Sequence, residues 1–166
     1  MQTLRSLDSA VVRRSNALIR RHPLARRLMG LAAERLSWVE IALMLALGMR
    51  NPAAAARVLA AVAGVYVSSE AVGRAAARER PFARDDGVED LVDHAARRSF
   101  PSRHAASAVA MATVTMRYSR PLGTVMAVVA ALLGLSRVAA GLHYPSDVLA
   151  GAVLGQAIGS LARSQR

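Results

Sequence analysis

The sequence predicts an all-α integral membrane bundle of about five transmembrane helices, preceded by an N-terminal amphipathic interfacial helix, and three observations predict it. Apolar residues make up 54% of the 166-residue chain and the mean hydropathy is +0.28, above the usual range for a soluble domain. These residues gather into five stretches. Val125 to Leu135 and most of Val58 to Val67 are apolar all the way round, where the surface helix of a soluble protein shows a polar face. The net charge of +11, from 22 arginines and no lysine, lies between the stretches and not along a stripe interleaved with aromatics. That distribution points to anionic membrane lipids and away from nucleic acid. No cysteine occurs, which excludes disulfides, thiolate catalysis and thiolate metal sites.

Residues 1–35 form a basic amphipathic segment. Across residues 1–27, Leu4, Leu7, Val11 and Leu18 recur at helical spacing among seven arginines, as expected of a helix lying among headgroups; a solvated basic tail is the alternative. The first 27 residues lack an apolar core, so no cleavable signal peptide is expected. Residues 36–166 form the membrane domain, with spans near Leu36–Met49, Ala53–Val72, His104–Met116, Leu122–Ser136 and Ser146–Ala162. Several fall short of the roughly 20 residues of a simple crossing, and flanking small residues can lengthen each by a turn. Between the second and third spans, Val88, Leu91, Val92 and Ala95 share a helical face, with Glu89, Asp90 and Asp93 early and Arg97 and Arg98 late. That order predicts a short surface helix with an Asp93–Arg97 pair, capping a site. The acidic residues Asp85, Asp86, Glu89, Asp90 and Asp93 read as its solvated face and not as a metal site. In the last span, Gly151, Gly155 and Gly159 make a double small-xxx-small pattern. Packing inside the bundle is the favoured reading, and a homodimer seam the sharper one. Asp147, four residues earlier, continues that face and points inward.

Three polar clusters lie at the span ends. They are Arg74, Arg78, Arg80 and Pro81; then Pro101-Ser102-Arg103-His104; then Ser136-Arg137, His143 and Asp147. Alternating spans put all three on one side of the membrane. Proline is preorganised for the first helical turn, so Pro101 is expected to start the third span, leaving N–H groups that form an anion site with the Ser102 hydroxyl. Arg80 and Arg137 each offer paired N–H donors to a phosphate. Pro145 starts the fifth span and places Asp147 in its first turn. From there the carboxylate reaches back to the His143 ring, fixes its tautomer and frees the other nitrogen for attack. His104 is then free to protonate a leaving alcohol oxygen. Taken singly, a histidine near a helix end reads as a structural residue, the role given to His22 and His94, and ionisable groups at span ends snorkel to headgroups. The joint arrangement is what favours a catalytic site.

These motifs resemble those of the type 2 phosphatidic acid phosphatase superfamily, which includes membrane lipid phosphatases, soluble acid phosphatases and vanadium haloperoxidases. Its pattern runs Lys-x6-Arg-Pro, Pro-Ser-Gly-His and Ser-Arg-x5-His-x3-Asp. The third part is matched in full by Ser136, Arg137, His143 and Asp147. The second is matched by Pro101, Ser102 and His104, with Arg103 in place of glycine, and the first by Arg80 and Pro81 alone, because Gly73 occupies the lysine position. The resemblance implies that His143 is the nucleophile and forms a phosphohistidine, that Asp147 orients it and that His104 is the general acid. It also implies phosphate binding by Arg80, Arg137, Ser102 and Ser136, with no metal and no cofactor. Arg74, or Arg78 a turn further on, is expected to replace the missing lysine, and Arg103 to meet a second anionic group on the substrate.

The expected activity is hydrolysis of a phosphate monoester on a lipid or polyprenyl-linked substrate, such as a polyprenyl-phosphoryl-phosphoribose. Phosphatidylglycerol phosphate, phosphatidic acid and a polyprenyl diphosphate are the alternative substrates. A haloperoxidase and a non-catalytic bundle binding anionic headgroups are the alternatives of other classes. Eight arginines in residues 1–35, seven in residues 74–103 and Arg137 fall on the site side, against six opposite. The positive-inside rule then puts the site on the cytoplasmic side of the inner (plasma) membrane.

Overall fold

The computed structural model describes residues 2–96 and 98–164, with side chains from 5 to 162 apart from Arg97. Among the described residues seven helices follow in order: α1 Gln2–Arg20, α2 Pro23–Arg50, α3 Pro52–Ala76, α4 Pro81–Arg84, α5 Arg103–Tyr118, α6 Arg120–Ala139 and α7 Pro145–Ser164. No strand occurs among the described residues. The expected spans are all present as helices, and each begins where the sequence supplies a cap or a proline. The Asn51 side chain accepts from Ala54 N at 3.0 Å ahead of Pro52, and Ser119 accepts from Leu122 N at 3.4 Å. The boundary expected between residues 35 and 36 falls inside α2, which runs unbroken for 28 residues, about 42 Å.

The long helices alternate in direction, so the ends of α3 and α6 meet the starts of α2, α5 and α7 at one end of the bundle. Pro52–Arg84 and Arg120–Ala139 are long and apolar enough to cross a membrane. Large apolar side chains face outward on every long helix except α5, among them Trp38, Val67, Val128 and Val153, a surface that lipid satisfies and water does not. The buried core is built from smaller residues, with Ala54, Val58, Ala61, Val65, Ala106, Ala110, Val114 and Met126 in one cluster.

Helix α5 is central and packs against α2, α3, α6 and α7. The glycine stripe makes its contact with α7 close. A Cβ at Gly151 would meet the Ser102 carbonyl, one at Gly155 would collide with the Ala106 carbonyl, and one at Gly159 would lie 2.9 Å from Thr113 Cβ. The Gly151/Gly155/Gly159 face is therefore packed inside the bundle against the chain's own α5, as the favoured of the two readings has it, and not left open as a homodimer seam.

One expectation is filled in and one changes. The amphipathic α1 forms, with Leu7, Val11 and Leu18 facing outward and Asp8, Val12 and Asn16 buried against the bundle. Asn16 Nδ2 donates to the carbonyls of Glu89 and Ala139, both at 3.0 Å, and its Oδ1 accepts from Glu89 N at 3.0 Å. The surface helix expected across residues 88–98 is absent, because its polar groups are bonded elsewhere. Asp90 accepts from the backbone N–H groups of Val92 and His94 at 2.9 and 2.6 Å, a local alternative to helix that Asp offers readily. Positive φ at Asp93 and Arg98 then turns the chain. Arg97, the partner expected for Asp93, lies outside the described residues. Among the described residues no group of three or more His, Asp or Glu could hold a metal ion, and Glu89 pairs instead with Arg20.

Candidate active site

The loop from residue 77 to 102 is laced onto the turn between α6 and α7. Phe82 N donates to Gly141 O at 3.2 Å, Leu91 N to Ala140 O at 3.3 Å, and Ser102 N to Asp147 O at 2.9 Å. Gly141 adopts φ +77°, and a Cβ there would stand 2.7 Å from the Glu89 carbonyl, so only glycine fits both the turn and the approach. This lacing carries Arg80, His94, Ser99 and Ser102 to the His143 turn.

His143 is 3% exposed and Asp147 0%. The Nδ1 of His143 lies 2.7 Å from the carbonyl of Ser99 and 3.8 Å from Oδ2 of Asp147. A carbonyl only accepts, so Nδ1 carries the proton and Nε2 has the free lone pair. The nearer partner is the Ser99 carbonyl, which sequence reasoning missed, and the Asp147 carboxylate expected to orient the ring stands beside it. Asp147 occupies the first turn of α7, as expected after Pro145, but its Oδ2 turns back to Tyr144 N at 2.8 Å, the reach of a capping box. Its Oδ1 meets Arg78 Nη1 at 2.6 Å.

Arg80 is held by Ala95 O and Leu142 O, each at 2.9 Å, and places Nη1 3.2 Å from His143 Nε2. Burial, opposed by the Asp147 carboxylate and helped by the Arg80 and Arg137 charges, lowers His143 to about 4, so its ring is neutral near pH 7. Arg137 is 1% exposed. Its Nη1 donates to Ala33 O at 2.9 Å, and its Nη2 approaches His104 Nδ1 at 3.1 Å and His94 Nε2 at 3.3 Å. Guanidinium only donates, so His104 accepts at Nδ1 and its neutral ring carries the proton on Nε2. Each of these two histidines thus faces one arginine. Both arginines offer N–H groups that an entering phosphate can take.

His94, read from the sequence as structural, belongs to this wall. Burial first, and Arg137 second, hold it below the ordinary histidine range. A cavity of about 550 Å³ reaches His94, His104 and Arg137 and is walled by α2, α3, α5 and α6.

Several expected residues are placed otherwise. Ser102 is the fully buried N-cap of α5, accepting from Ala105 N at 3.5 Å; the helix starts at Arg103, not Pro101. Ser136 donates to Leu133 O at 2.8 Å within its own helix, so the structure does not bring it to the site as a phosphate ligand. Arg74 is 72% exposed and pairs with Glu70 at 2.9 Å, on the outer face of α3. Arg78 is braced behind the site by Asp147, Ser146 and Asp8 and stacks 4.0 Å over Tyr144. Neither arginine takes the place expected for the motif lysine. Arg103 is half exposed on the rim, 3.7 Å from Glu70 and 5.7 Å over Tyr66. Ser99, Asp8 and Asn16 went unread, since a backbone acceptor and contacts more than 70 residues apart in sequence leave no local pattern.

A helical membrane bundle with two arginine-faced histidines at one end defines a phosphate-handling membrane protein by class. The chain belongs to the PAP2 superfamily, whose family model matches residues 54–166. It is 33% identical over 163 residues to the decaprenylphosphoryl-5-phosphoribose phosphatase of Mycobacterium tuberculosis, covering 96% of this chain and 86% of that one. It is 39% identical over 82 residues to the undecaprenyl-diphosphatase BcrC of Bacillus subtilis, covering 49% of this chain and 42% of that one, so it spans less than half of that relative. The crystal structure of Aquifex aeolicus LpxE superposes with a TM-score of 0.82 at 26% identity, covering 94% of each chain.

Proposed function

We propose that this protein is a membrane-embedded phosphatase that removes a phosphate monoester from a lipid or polyprenyl-linked substrate through a phosphohistidine on His143. One observation carries the reading: the Ser99 carbonyl fixes His143 as the Nδ1–H tautomer, and its Nε2 lone pair faces the Arg80 guanidinium. A phosphate accepting N–H groups from Arg80 and Arg137 lies against that nitrogen. Nε2 attacks phosphorus, the P–N bond forms and the P–O bond to the alcohol breaks. The leaving oxygen takes the Nε2 proton of His104. Phosphate draws away the Arg137 N–H that occupies His104 Nδ1, so the ring takes up a proton from solvent there before it gives the Nε2 proton to the leaving oxygen, and it ends the step neutral. Water, deprotonated by His104, then breaks the P–N bond and releases inorganic phosphate.

The substrate favoured is a polyprenyl-phosphoryl-phosphoribose, because likeness to the phosphoribose phosphatase runs over nearly the whole chain while likeness to the diphosphatase covers half of it. The protein is assigned to the inner membrane with the site on its cytoplasmic side, on the arginine distribution. Phosphate release from synthetic farnesylphosphoryl-5-phosphoribose, in detergent with chelator, tests the reading. Turnover by the wild type that disappears in His143→Ala is the expected result, and equal turnover by both ends it.

A further inference from the structure

The cavity that opens at His104 and Arg137 follows α5 past Ser107 and Ala108 to Met111, seven residues and roughly 10 Å into the bundle. Helix α2 forms the facing wall from Ala33, whose carbonyl binds Arg137, down to Glu40, the same distance along. Glu40 is 0% exposed, and neither of its carboxylate oxygens has a hydrogen-bond partner. One turn nearer the phosphate site, the hydroxyls of Ser37 and Ser107 line the same cavity and also lack partners. None of these three side chains takes part in the phosphoryl steps. Buried polar groups without partners are costly, and three of them around one cavity call for a ligand.

We propose that Glu40, Ser37 and Ser107 form a hydroxyl-recognition subsite for the leaving alcohol, taking a polyol unit, either a sugar ring or a glycerol. The proposal rests on the phosphatase reading and narrows its substrate class. The cavity starts at the histidine that protonates the leaving oxygen, so the leaving group is what enters it. Glu40, Ser37 and Ser107 offer hydrogen bonds and no cation of their own to a second phosphate. A plain alkyl chain would leave all three polar groups unsatisfied. A neutral polyol donates hydroxyl protons to Glu40 and exchanges hydrogen bonds with the two serines.

The test compares kcat/KM on farnesylphosphoryl-5-phosphoribose, phosphatidylglycerol phosphate and dodecyl phosphate, for the wild type, Glu40→Leu, the near-isosteric Glu40→Gln and a Ser37→Ala/Ser107→Ala double variant. A site built to hydrogen-bond a substrate hydroxyl discriminates strongly. In Glu40→Leu the preference for a hydroxylated substrate over dodecyl phosphate should fall by about tenfold to a hundredfold, and less in Glu40→Gln. A fall confined to the ribosyl substrate assigns the subsite to a sugar, and one confined to the glycerol substrate to a glycerol. A preference unchanged in all three variants overturns the subsite while leaving the phosphatase reading in place. No phosphate release by the wild type from any probe overturns both.

Discussion

Arg78 sets its Nη1 2.6 Å from Oδ1 of Asp147 and its Nη2 3.0 Å from Oδ2 of Asp8, so the carboxylate behind His143 is itself held by a cation from the loop after α3 and, through it, by α1. Removing one partner of a buried pair strands the other charge, at about 3 kcal/mol or more. Asp147 is fully buried and Arg78 mostly so. Arg78→Ala should therefore lower both the melting temperature in detergent and kcat, the latter by about tenfold or more. Arg74, exposed and paired only with Glu70, should change either by little. Melting curves and phosphate release on the two variants check this, and equal losses in both would contradict the placement of Arg78.

The two histidines are separable by substrate. His143→Ala should abolish phosphate release from every substrate. His104→Ala should lose ~10²–10⁴-fold on an alkyl phosphate and much less on an aryl phosphate, whose leaving oxygen needs no proton. A His104→Ala variant equally impaired on both would remove the general-acid assignment.

Acid should destabilise the fold through His143. Its ring titrates near 6.5 when unfolded and at about 4 when buried. A depressed folded value means stability present above 6.5 and lost as pH falls towards 4, because the unfolded chain binds the proton that the buried ring refuses. His94 shifts in the same direction. The melting temperature should thus be level above about pH 6.5 and decline below it, more gently in His143→Gln. The same slope in wild type and variant would acquit His143.

Vanadate should inhibit, since it mimics a phosphoryl group on the histidine, and chelator should leave turnover unchanged. Arg80 and Arg137 each lie against one of the two histidines, near enough for their charges to oppose each other, and such a pair repels a divalent cation. A strict need for Mg²⁺ or Zn²⁺, lost in chelator and regained on addition, would count against this.

Orientation can be read with single cysteines, because the chain has none of its own. With the site facing the cytoplasm, an impermeant thiol reagent on intact cells should label a cysteine at Arg120, at the far end of the bundle, and spare one at Ser9. The reverse pattern would put the site on the outer face.

The sequence by itself determined the helices and the chemistry's cast. Apolar runs fixed five long helices, prolines and Asn or Ser caps fixed their starts, and the i,i+4 spacing of His143 and Asp147 put both at the head of α7. Those signals are local, carried by backbone preference and periodicity, so they survive without knowledge of the partners. Only the tertiary structure decided who touches whom. The Ser99 carbonyl orients His143, Arg78 braces Asp147, Arg74 faces outward, α5 fills the glycine stripe of α7, and His94 joins Arg137. The loop over residues 85–102 abandoned its helical periodicity because Asn16, from α1, and Asp90 satisfied its backbone better than a helix would. Each of these outcomes was settled by competition among polar groups far apart in the chain, and the winner depends on burial, which no single segment of sequence records.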